Sequence, residues 1–297
     1  MMTRQMFASW LWKTPICVAV LIAGQMLGVG LVSVLGLKLP PPPVPVEEGL
    51  QFLLLFPAAA AVALALAGMA VGLAGRWWAR GAILAAFIYG IYGVGNAIEA
   101  SIFTTLGGEV AVALMHLPPA ILGGMAVALL FAAPSDEGFG QKAAAFFSGW
   151  KPGKLAAWLG LAVVAFPFFY FLCGMMIAPI VTPHYAQLDF LVIPPMATIV
   201  KVLFTRSALL LLVSLPVIVG WRQSRRQLFL ALSLGHFVAV GFAGLIQTPF
   251  FPAVLRWTHG IEILVDSVCY AWALVWLFFP RRDRAAEEAQ ELRERLA

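Results

Sequence analysis

Glu99, His116, His236, His259, Glu262 and Asp266 are the side chains of this 297-residue sequence with the clearest capacity for chemistry, because each stands within or at the edge of a long apolar segment. Ionisable groups at membrane depth are costly, so they mark either a function or a specific partner. Arg256, His259, Glu262 and Asp266 follow one another at spacings of three, three and four residues. At about 100° per residue that gathers them into a stripe of roughly 120° on one helix face. Glu99 precedes Gly107-Gly108 by about as many residues as His116 follows it, so an antiparallel hairpin turning there sets the two at one height. A second hairpin turning near residue 251 levels His236 with Asp266 in the same way.

Two imidazoles and up to three carboxylates brought together from three helices are donors that zinc, manganese or iron accepts. The expectation is a divalent metal held by His116, His259, Glu262 and Glu99, with Glu99, Glu262 and Asp266 as the catalytic carboxylates. Such an ion activates a bound water or polarises a carbonyl or phosphoryl oxygen. The Glu-x-x-His spacing of di-metal helix bundles occurs here only in reverse, as His259-x-x-Glu262. Arg206 and Arg256 suit an anionic head group, and with Asn96, one turn before Glu99, they form the expected substrate-binding set. Bland roles compete: Arg256 and Lys201 have stems long enough to snorkel to the headgroups, and Asn96 can join two helices by a hydrogen bond. No HExxH, GxSxG, GxxxxGK[ST], GxGxxG or EExxxR pattern is present.

The elements that must position these groups follow from composition. At 62% apolar and 11% charged residues, with mean hydropathy +0.93, the chain lies far from the soluble range of about half apolar and a quarter charged. One crossing needs roughly 20 apolar residues, and eight stretches qualify: about 15–37, 50–74, 81–104, 110–133, 155–179, 196–220, 227–249 and 257–279. The fold class is therefore all-α, a polytopic bundle of eight transmembrane helices with the lipid bilayer as its solvent. Basic residues fall in alternate connections, at Arg76 and Arg80, at Lys142, Lys151 and Lys154, and at Arg222, Arg225 and Arg226. Under the positive-inside rule both termini are cytoplasmic and the membrane is the plasma (inner) membrane of a bacterial-type cell. That placement accounts for the net charge of +5 without nucleic acid as a partner. Cys17, Cys173 and Cys269 lie in apolar runs with no CxxC spacing and read as inert buried thiols.

The connections differ in kind. The run Pro40-Pro41-Pro42-Pro43-Val44-Pro45 reads as a stiff extended strap, and residues 180–195 as the longest outer loop. Pro118-Pro119 is expected to break the fourth helix beside His116. The chain divides into a transmembrane domain over 1–280 and a charged cytoplasmic tail over 281–297. Similar Gly-plus-basic openings about 145 residues apart suggest a parallel four-plus-four repeat with halves 1–137 and 138–280. The functional expectation is an outward-facing metal-dependent hydrolase or transferase acting on a small-molecule, lipid-linked or membrane-near substrate. A proton-coupled or small-solute transporter, with His236 and Asp266 as its relay, and an accessory protein without catalysis are the alternatives.

Overall fold

The computed structural model describes residues 4–131, 138–185 and 187–279. Within a bilayer a peptide group in a helix is satisfied by its own segment, so each apolar run is helical, and among the described residues eight helices are long and apolar enough to cross. This is a multi-pass membrane protein. In chain order come α1 (Arg4–Val34), α2 (Glu48–Gly72), α3 (Trp77–Ile88), α4 (Asn96–Phe103), α5 (Glu109–Met115) and α6 (Leu117–Phe131). There follow α7 (Phe139–Ser148), α8 (Pro152–Tyr185), α9 (Met196–Val219), α10 (Arg225–Phe237), α11 (Ala243–Ile246) and α12 (Ala253–Phe278). Pairs α3/α4, α5/α6 and α10/α11 each make one span, and α7 is a short helix outside the spans. The charged tail over 281–297 lies outside the described residues.

Two spans are interrupted by π-helical turns, Tyr89–Gly95 between α3 and α4 and Val238–Phe242 between α10 and α11. The first is YGIYGVG, with three glycines that hold an α-ladder weakly. Such turns recur at functional sites, and here the two lie against each other. Asn96 Nδ2 donates to Ala239 O across them at 3.4 Å, and Gln247 Nε2 donates to Tyr92 Oη at 2.7 Å. The break expected at His116 is present, separating α5 from α6.

Small residues bring the backbones together, as they do where helices meet in lipid. α3 packs chiefly on α6, where a Cβ built on Gly124 would stand 2.7 Å from Ala85 N and 2.9 Å from Gly81 O. Gly124→Ala is therefore expected to push this pair apart and to cost about 1–3 kcal/mol, read as a lower melting temperature in detergent. Gly160→Ala, which meets nothing within 4 Å, should leave melting unchanged; equal behaviour of the two variants would refute the close-approach account.

The connections at one end of the bundle form what we call the strap side. Gly107 and Gly108 turn with φ 70° and 73°, and a Cβ on Gly108 would stand 2.8 Å from Pro40 Cδ, so the proline strap rests on this turn. Thr105 N donates to Phe190 O at 3.0 Å and Val192 N to Phe103 O at 2.9 Å, and Phe190 packs against Phe250 and Phe251. At the opposite end Leu73 and Trp221 form a short antiparallel clasp, with Ala74 N donating to Gly220 O at 2.8 Å and Arg222 N to Gly72 O at 3.0 Å.

Candidate functional site

The stripe on α12 turns inward: Glu262 and Asp266 are 8% and 4% exposed, as the cost of a carboxylate in acyl chains requires. α12 packs on α8 and α10, and α8 supplies the space. Gly174 has no side chain, and a Cβ there would sit 3.6 Å from Glu262 Oε1. One residue before Gly174 the Cys173 thiol stands near Asp266, whose Oδ1 has no hydrogen-bond partner. Cys173 is a free, buried thiol, as its apolar run implied, and it lies beside these carboxylates.

A hydrogen-bonded chain leads from the strap side to Glu262. Tyr185, the last residue of α8, has its hydroxyl 2.9 Å from His259 Nε2, and His259 Nδ1 is 2.7 Å from Glu262 Oε2. His259 keeps 19% of its side chain exposed, so the chain is open at that end. The hydrogen-bonded chain ends at Glu262, and Asp266 stands one turn further along, midway along α12.

Glu99 joins from α4. Its Oε1 accepts from Arg206 Nη1 at 2.7 Å, and Arg206, midway along α9, is only 1% exposed. Phe166 lies under the guanidinium at 5.9 Å, and Nε and Nη2 of Arg206 have no hydrogen-bond partner. Asp266 feels the charges of Glu262, Glu99 and Arg206, and Tyr170 those of Glu99, Arg206 and Glu262. Four spans therefore enclose three carboxylates, one guanidinium, one imidazole, one thiol and two phenols.

The remaining expected residues are placed elsewhere. His116 does not meet Glu99: its Nδ1 lies 2.7 Å from Val112 O and its ring packs edge-on to Tyr92, while Glu99 is taken by Arg206. The four expected metal ligands consequently do not converge, and among the described residues no group of three or more His, Cys, Asp or Glu side chains is arranged to hold a metal ion. His236 does not pair with Asp266; its Nε2 is 2.8 Å from Ser214 Oγ and its ring lies by Phe87 and Tyr270. Arg256 is half-buried with Nε unpartnered, outside the Glu99–Arg206 pair. Asn96 binds backbone between the π turns, and Lys201 is exposed.

Comparison with family models, with curated proteins and with solved structures gives no match for this chain. What the site can do must come from its own chemistry. A carboxylate, an imidazole and a phenol linked end to end can pass a proton, the carboxylate orienting the ring while the ring exchanges with the hydroxyl. Three carboxylates against one fixed cation and one imidazole also leave an excess of negative charge. In a poorly solvated interior such an excess is neutralised by bound protons or by a cationic guest.

Tyr170, Cys173 and Tyr185 escape a sequence reading. Tyr185 falls in what the prolines at 179, 183, 194 and 195 mark as loop, yet α8 continues through Pro179 and Pro183. The only signal was indirect, in that a tyrosine or cysteine opposite a carboxylate stripe is one of few apolar-segment residues able to hydrogen-bond it.

Proposed function

We propose that this membrane protein is a proton-coupled carrier of a small anionic solute, with the buried cluster as its proton and solute site. One observation carries this reading: the Tyr185–His259–Glu262 chain, with links of 2.9 and 2.7 Å, connects an accessible edge to the buried carboxylate of Glu262. Glu262 and Asp266 exchange protons with the strap side through His259. Arg206, with two unused donors, receives the solute's carboxylate or phosphate in competition with Glu99. Proton binding to Glu99 frees the guanidinium for the solute, which supplies the coupling.

A catalytic reading rests on the same chain, since carboxylate, imidazole and hydroxyl in series is the order of acyl-transfer triads, with Tyr185 in the nucleophile's place. The two separate in proteoliposomes carrying an entrapped pH dye. A carrier acidifies the lumen when a screened panel of small carboxylates and phosphates is added outside, and His259→Gln stops it. An enzyme moves no protons, and absence of flux across the panel would sink the carrier.

The site faces outward on the orientation that the basic connections imply, with the clasp side and both termini cytoplasmic. A cysteine introduced at Gly138 should then resist an impermeant maleimide in intact cells, and one at Gly107 should react. The reverse labelling pattern would turn the site to the cytoplasm.

A further inference from the structure

The helix boundaries repeat. Pro152, Met196 and Arg225, which open α8, α9 and α10, follow Arg4, Glu48 and Trp77, which open α1, α2 and α3, by the same 148 residues. The π turns, Tyr89–Gly95 and Val238–Phe242, agree with that offset to within a residue at each end. The clasp is the sharpest sign: residues 72 and 220, and 74 and 222, are also 148 apart, so each of its two hydrogen bonds is the image of the other. Leu73 and Trp221 sit on the local two-fold axis that relates them. The offset of 148 replaces the one near 145 suggested by the Gly-plus-basic openings, and under it His116 corresponds to Leu264 and His259 to Ala111.

Carrying the buried site through this operation gives a definite address. Glu99 maps to Gln247, Arg206 to Ala58, Tyr170 to Ile22 and Cys173 to Gln25. All four counterparts line one cavity of about 60 Å³, which His116 and Tyr92 also line. The space is open because alanine stands where the twin position holds arginine. Its polar groups are uncharged amides, a phenol and an imidazole held by backbone, and Gln247 already donates to Tyr92.

We infer that this cavity is a second binding site, the uncharged twin of the Glu99–Arg206 centre, and that it takes a small neutral hydrogen-bonding solute such as a primary amide. The inference goes beyond the carrier reading and does not rest on it. The volume admits about four water-sized groups, and a neutral guest can hydrogen-bond the Gln25 amide and the carbonyl oxygen of Gln247, whose nitrogen already donates to Tyr92 and Ala243 O, without bringing an unpaired charge into the bundle. Acetamide, with four non-hydrogen atoms, is the probe.

The test is thermal unfolding of the full chain in detergent with increasing acetamide, with acetate at equal concentration as the charged isostere. The native chain should gain about 2–4 °C once acetamide is roughly tenfold above its dissociation constant, and acetate should give no gain. Ala58→Leu fills the cavity and should remove the acetamide shift; where that variant does not fold, Ala59→Leu makes the same comparison from the adjacent wall. No shift in the native chain, an equal shift with acetate, or a full shift retained in the filled chain would each overturn the second site.

Discussion

Arg206→Met is expected to destabilise the protein by about 3–5 kcal/mol, the usual loss when one partner of a buried ion pair is removed. Arg206 is 1% exposed and bonds Glu99, itself 29% exposed, at 2.7 Å, and it is the fixed cation among Glu99, Glu262 and Asp266. Methionine keeps the stem's bulk, so the loss is electrostatic and not a cavity. The double variant Arg206→Met/Glu99→Gln should therefore recover more than half of it, since the cost lies in the carboxylate left behind and not in the lost bond. Arg206→Lys restores charge without the planar fork and should fall between. Thermal or denaturant unfolding in micelles measures all three. A single-variant loss below about 1 kcal/mol, as for an exposed pair, would show that water reaches the guanidinium and that the site is not closed.

Glu262→Gln is expected to lower proton-coupled flux by about 100-fold or more, the range in which positioned acid–base groups act, while melting stays close to that of the native chain. The amide keeps the shape that fits beside Gly174 and can still accept from His259, but it takes up no proton. His259→Gln breaks the chain one link earlier and should match it. Tyr185→Phe removes only the outermost hydroxyl, so it should slow flux less, because His259 is itself 19% exposed. Flux from an entrapped pH dye reads all three. Native flux in Glu262→Gln would remove the relay and leave the His259–Glu262 contact as helix packing alone.

The inward turn of Glu262 and Asp266 was legible because helical spacing fixes which residues share a face, and energy fixes where that face points. The partner of Glu99 was not. Counting from Gly107-Gly108 gives height along a hairpin but not rotation about each axis. The π turn just before Asn96 inserts a residue, which swings the following face by about 100°, toward α9 and away from His116. Arg206 carried no local pattern either, sharing its apolar run with Lys201 alone among charged residues. The expected metal grouping is not shown among the described residues, because it needed His116 and Glu99 to share a direction as well as a level. Tyr185 was hidden by prolines, each of which removes a helix donor, but a long helix anchored on α12 and α9 continues past them.

The Leu73–Trp221 clasp has a mechanical consequence. It ties the end of α2 to the end of α9 by a pair of backbone hydrogen bonds at one surface, whereas Tyr185 and His259 open at the other. A body pinned at one end moves most at its free end. Over a hydrocarbon thickness of about 30 Å, a tilt of roughly 5° about the clasp displaces the far ends by about 2–3 Å and the fulcrum hardly at all. The Arg206–Glu99 contact, which joins α9 to α4 between the clasp and the far ends, would be stretched by about half that lever arm's travel, enough to part a 2.7 Å ion pair while the backbone hydrogen bonds at the pivot stay closed.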